Sequence, residues 1–192
     1  AAAVGPRATT LPAAEPPIEP ASTAEVRGAF PSVSDDGRWV VFEGVPADGS
    51  GRTSTVYVRD AQFPDLAPRE LTRPIEGVPL GSSVRPAISG DGCVAVVLTE
   101  MAFDLFRDDD ADVRWDVYRL VLPQCGGTDD DWELVSTQSS SSGDTSALDR
   151  VSPTDPPAVS QAGTVVAFTH QARSGKDPLL AVSIVDLTVA LG

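Results

Sequence analysis

An all-β fold made of repeated antiparallel sheets is predicted by three features of this sequence. One phrase returns at residues 31–42, 86–97 and 157–168: a Pro, a short extended run, a polar turn closed by Gly, then an apolar strand. The unit is rigid, because Pro31 to Pro86 and Gly37 to Gly92 both span 55 residues, while Pro86 to Pro157 and Gly92 to Gly163 both span 71. Further strand-like runs follow each copy, so the repeat is a supersecondary unit that sets the architecture.

In the first copy the chain enters through Pro31-Ser32-Val33 and turns at Ser34-Asp35-Asp36-Gly37. That segment fits a hairpin turn whose Gly takes a positive φ, which a residue with a Cβ occupies only with strain. The strand Trp39-Val40-Val41-Phe42 is apolar on both faces, as a strand buried in a stack of sheets should be. A third strand is predicted over 55–60 and a weaker fourth over 69–72. The second copy repeats this order with the turn Ser89-Gly90-Asp91-Gly92, a strand over 93–97, a third over 115–122 and a fourth over 132–136. In the third copy the turn is Ser160-Gln161-Ala162-Gly163, with strands over 164–168 and 180–187 and no fourth run after them.

Four antiparallel strands per repeat make a β-propeller blade. The predicted organisation is an extended Ala/Pro-rich arm or linker at 1–25 and a propeller-like domain at 26–192, with about three blades near 26–75, 80–137 and 151–192. The pattern Pro-x-Val/Ile-Ser-x-Asp-Gly-Arg-x-Val-x-Phe followed by Val56-Tyr57-Val58-Arg59-Asp60 resembles the repeats of TolB-like β-propellers, over about residues 26–188. The first copy is nearly a consensus unit; the second has Val97 where Phe is usual, and the third has Ala162 in place of the acidic turn residue. The resemblance implies the fold and a tendency to bind other proteins or peptides. It carries no catalytic residues to transfer.

Composition narrows the partners. A chain of 192 residues is long enough to bury a sizeable core. No apolar stretch reaches the length needed to span a bilayer. A formal net charge of −14 argues against nucleic acid and anionic membrane surfaces, which reward Lys and Arg. The arm is rich in Ala, Pro and Thr without periodicity, and it buries too little apolar area to offset its ordering entropy. If it is ordered, a surface must hold it. Its Ala-rich start also fits the remnant of a processed export signal, which points to an extracytoplasmic location, periplasmic or secreted.

Cys93 starts the second strand of repeat two and Cys125 follows its third. Antiparallel pairing that sets Val97 opposite Val121 also sets Cys93 opposite Cys125, so a disulfide is expected, with two reduced cysteines as the alternative. Zinc is disfavoured, because His170 stands alone as a histidine. The densest polar cluster is the loop at 104–116. There Asp108, Asp110 and Asp112 alternate and Asp116 follows, a spacing similar to short calcium loops in which carboxylates wrap a hard cation. The loop lacks the usual turning Gly, and Arg107 and Arg114 offer the alternative compensation, leaving a solvated acidic loop as the other reading. Calcium is therefore the one cofactor candidate. A second acidic run at 128–132 and a Ser-rich stretch at 138–144 fill the longer spacing; insertions of this kind sit at blade edges, where they cost little stability and often carry contacts, with a solvent loop as the alternative reading.

No Gly-x-Ser-x-Gly elbow, Walker loop or dinucleotide fingerprint occurs, and His170, at the end of an apolar strand, leaves any Ser-His-Asp triad with one unsupported base. The expected function is a non-enzymatic structural or protein-binding subunit of a larger extracytoplasmic assembly. The rival is a ligand-sensing propeller for peptide or carbohydrate, or the propeller domain of a larger hydrolase. That rival would need convergent aromatics, and only Trp39, Trp115 and Trp132 are available. Closed rings take about four to eight blades, so something must complete the arc: more of a longer propeller, a second copy, or another subunit.

Overall fold

Runs of β-branched residues broken by Ser-x-x-Gly turns fold into a succession of meanders. The computed structural model describes residues 20–24, 26–47, 53–73, 81–101, 115–139, 145–147, 151–174 and 177–188. The first sheet joins β1 (Val26–Val33), β2 (Trp39–Pro46), β3 (Thr55–Asp60) and β4 (Arg69–Glu70) in chain order. The second joins β5 (Ser83–Ile88), β6 (Val94–Thr99), β7 (Asp116–Val121) and β8 (Trp132–Leu134) in the same way. A two-stranded pair, β9 (Thr137–Ser139) and β10 (Thr145–Ala147), precedes the third sheet of β11 (Ala158–Val159), β12 (Val165–Ser174) and β13 (Asp177–Asp186). All of this pairing is antiparallel, and the sheets are propeller blades, the third one strand short among the described residues.

The three repeat turns share one construction. Ser34, Ser89 and Ser160 each donate a backbone N–H to the residue five positions on, Trp39, Val94 and Val165. Each serine Oγ then accepts that residue's amide, at 2.9, 2.8 and 3.0 Å. The closing glycines adopt φ of 72°, 73° and 69°, the left-handed conformation expected of them. In the first two turns a carboxylate adds a second clamp: Asp36 and Asp91 accept from the serine hydroxyl at 2.6 Å and from the amide of Arg38 or Cys93. Ala162 supplies no such group in the third.

The repeated prolines mark a bulge. The β1–β2 register shifts between Ala29 and Ser32, and the β5–β6 register between Val84 and Ala87. Just before Pro31 and Pro86, Phe30 and Arg85 take φ of 49° and 51°, a left-handed backbone uncommon outside glycine. Proline fits there because it has no amide to give to the ladder. The Arg85 guanidinium lies 3.5 Å above the centre of the Phe30 ring, tying the two bulges together.

The core lies between blades. Val41, Val56 and Val58 of the first pack with Ile88, Ala95, Val97 and Tyr118 of the second. On the other side of the second blade, Val94, Val96, Leu98 and Val117 pack with Val166 and Phe168 of the third. Every residue of β6 is buried, which its apolar run predicts.

Three expectations need correction. Val97 pairs with Tyr118 rather than Val121, and Val94 with Val121. Cys93 and Cys125 are therefore not cross-strand partners. They still form a disulfide, Cα atoms 5.5 Å apart, because a 3-10 turn at Pro123–Cys125 folds the chain back after β7 and Leu122 donates to the Cys93 carbonyl. The insertion, for which a solvent loop was the alternative reading, contains the β9–β10 pair. His170 sits inside β12 rather than at a strand end, paired with Ala181 and bridged to Val151.

Candidate functional site

The same joint is built twice between blades. The Asp35 amide donates to the Gly90 carbonyl at 2.8 Å, and the Asp91 amide to the Gln161 carbonyl at 2.9 Å. Each turn glycine seats on the residue that leaves the preceding turn: a Cβ on Gly92 would stand 2.6 Å from the Trp39 ring, and one on Gly163 would overlap Val94. Ser32 Oγ accepts the Ile88 amide, and Arg69 forms an ion pair with Asp129 across the same joint. Sheet faces, turn amides and turn glycines thus form one composite interface.

The arc ends on two unlike surfaces. On the outer face of the first blade, Phe42 and Tyr57 stack with ring centres 5.6 Å apart and are almost fully buried. The end of the arm lies there: Arg59 donates to the carbonyls of Pro20 and Ala21 at 3.0 and 3.1 Å, and Ser22 closes on Gly28 beside Phe42. A shallow cleft of about 570 Å³ runs between the arm and Pro64, Asp65 and Leu66. Near the turn this end is open. Val33 is 56% and Phe30 48% exposed, and a Cβ on Gly37 would meet nothing within 4 Å.

At the other end, pairing sets Ile184 beside Ala167, Val182 beside Thr169 and Leu180 beside Gln171, on the face opposite buried Val166 and Phe168. Leu180, Val182 and Ile184 are 69%, 69% and 72% exposed. In the repeat register Val182 corresponds to Val56 and Val117, both 0% exposed, and Ile184 to Val58, 2% exposed. The third blade therefore presents a blade-packing face with nothing on it among the described residues.

The sequence-predicted site residues are only partly brought together. Asp108, Asp110 and Asp112 lie outside the described residues. Asp116 is buried, and its carboxylate accepts from Ser136 Oγ at 2.6 Å, while that oxygen accepts the Val117 amide. Among the described residues no group of three or more His, Cys, Asp or Glu is placed to hold a metal. Trp39 and Trp132 pack on one inter-blade core and Trp115 on the other, so they do not converge on a pocket. Arg38 reaches back to Asp60 at 2.8 Å, and that hydrogen bond holds the Asp60 carboxyl below its ordinary value. Asp36 is lowered by the Ser34 hydroxyl, and burial pushes Glu70 up. Sequence reasoning missed two features. The alternation Leu180, Val182, Ile184 was visible as a strand pattern, but its lack of a covering sheet was not; the clasp by Arg59 left no signal.

The described sheets define a propeller-type protein. No known family model matches the chain, and no curated protein matches it in sequence. Among solved structures it is similar to TolB from Acinetobacter baumannii, at 17% identity and TM-score 0.36 over 85% of this chain and 41% of that one. It is also similar to the tricorn protease, at 9% identity and TM-score 0.48 over 83% of this chain and 17% of that one. The chain thus spans less than half the length of either.

Proposed function

We propose that this chain is a non-catalytic propeller-type module, acting as a structural or protein-binding subunit of a larger extracytoplasmic assembly. The observation that carries this reading is the exposed face of Leu180, Val182 and Ile184: the counterparts of Val182 in both preceding blades, Val56 and Val117, and that of Ile184 in the first, Val58, are buried under the next sheet. A contiguous apolar face on a chain this acidic is suited to a protein partner rather than to nucleic acid or an anionic membrane. The Cys93–Cys125 disulfide supports an oxidising compartment. None of the described helices is long and apolar enough to cross a membrane.

The test is co-purification from the native source with wild-type chain and with Val182→Asp/Ile184→Asp as bait, read by mass spectrometry. A stoichiometric protein complex kept by the wild type and lost by the variant is expected. Recovery of a lone chain carrying a bound small molecule would overturn the reading in favour of a ligand-sensing propeller.

A further inference from the structure

Building on that reading, we propose that the two ends of the arc dock on each other between two copies of the chain, closing a ring. We further propose that the arm at 20–24 opposes this closure.

Each inter-blade joint has two halves. The leading half is an apolar face with the residue that leaves the turn, Val41, Val58 and Trp39 in one joint and Val96, Val117 and Val94 in the other. The following half is the next blade's inner strand and its turn glycine, Ile88 with Gly92 in the first joint. Among the described residues, one chain carries an unfilled copy of both. Val165, Ala167, Val182 and Ile184 form the leading half on the third blade. Val33, the counterpart of Ile88, and Gly37, the counterpart of Gly92, form the following half on the first, and Val33 is exposed where Ile88 is buried.

Such a contact is head-to-tail, since different residues meet across it, and it closes only if the rotation repeats. The three described blades from each copy make six, within the range of about four to eight at which propellers close. The arm stands in the way. In the joint between the first and second blades, Val97 packs against the preceding blade, whereas its counterpart Phe42 lies beside Ser22 of the arm, held there by Arg59. Copies that each carry a net charge of −14 repel one another, so closure should strengthen as salt screens that repulsion.

Light scattering over a concentration series tests this on the full chain, on a chain lacking residues 1–24, and on Arg59→Ala, which frees the arm without removing it. The expected result is a mass of two chains for the arm-free forms, at about a hundredfold lower concentration than the full chain if the arm covers its face some nine-tenths of the time, because both copies must free that face for the ring to close. Val33→Asp and Ile184→Asp, both at exposed positions, should each return the protein to monomer with an unchanged circular dichroism spectrum. A monomer in every form overturns the proposal, as does a dimer indifferent to both substitutions or a mass that grows without limit. A monomer that still captures another protein through Ile184 overturns self-docking alone and leaves the subunit reading standing. A closed dimer that captures nothing supports self-docking and counts against that reading.

Discussion

The second and third blades share a turn, a register and an apolar strand, yet among the described residues the second is covered on both faces and the third on one. Val96, Leu98 and Val117 of the second blade are inaccessible, whereas the third blade's corresponding face leaves Val182 and Ile184 mostly in water. The second blade also carries the disulfide and has a fourth strand, β8, which no described residue supplies beside β13. Equivalent sequences thus reach different energies because burial is decided by the neighbour, not by the strand itself.

The largest effect should come from removing the staple that only the second blade has. Replacing both Cys93 and Cys125 by Ser opens a loop with a sequence separation of 32 residues. The chain-entropy account then predicts a loss of about 3–4 kcal/mol, measured by urea denaturation with and without reductant. Equal stability of the two proteins under oxidising conditions would remove the disulfide from the comparison. Next comes Leu98→Ala, in the doubly covered blade, which should cost about 3 kcal/mol. Val182→Ala in the third blade should cost no more than about 0.5 kcal/mol in the monomer. Comparable losses at the two sites would mean that something covers the third blade in solution.

Much of this architecture was legible in the sequence, and the remainder had physical reasons to be hidden. The Ser-x-x-Gly turns were readable because local chemistry determines them: a serine oxygen able to cap an amide and a glycine able to take positive φ. Strands β3 and β7 were placed to within a residue by their apolar patterns. The pairing of Val97 was misplaced because register depends on where the ladder starts, and the back-folding turn at Pro123–Cys125 hid the slip. The site was harder to see. Val56, Val117 and Val182 look alike as letters, and only the stack of sheets separates two buried valines from an exposed one.

Glycine substitutions sharpen the comparison at the joints. Gly37→Ala should cost about 1–2 kcal/mol, the penalty of a Cβ at positive φ, since a Cβ there touches nothing. Gly92→Ala and Gly163→Ala carry the same backbone penalty and also press on Trp39 and Val94, adding about 1–3 kcal/mol of overpacking. Thermal melts of the three variants read the excess directly. If all three fall equally, the glycines serve their turns and not the joints.

The smallest effect separates the turns by pH. The Asp36 carboxyl is held below its ordinary value, first by the Ser34 hydroxyl and then by the Arg38 amide. Its contribution is therefore complete above the ordinary carboxylate value and is lost as pH falls through the lowered one. Asp60, lowered by Arg38, acts in the same direction, while burial raises Glu70, whose unfavourable ionisation is relieved by acid. The third turn has Ala162 at the position of Asp36, and its Val165 amide is held by the Ser160 hydroxyl, which does not titrate. Acidification should thus lower the hydrogen-exchange protection of the Arg38 and Trp39 amides, corrected for intrinsic rate, and leave that of Val165 in place. Asp36→Ala should make the first turn as indifferent to acid as the third, and Ala162→Asp should give the third the sensitivity of the first. If neither exchange of residues transfers the behaviour, the clamp is set by the inter-blade hydrogen bonds of Asp35 and Asp91 instead of by the carboxylate within the turn.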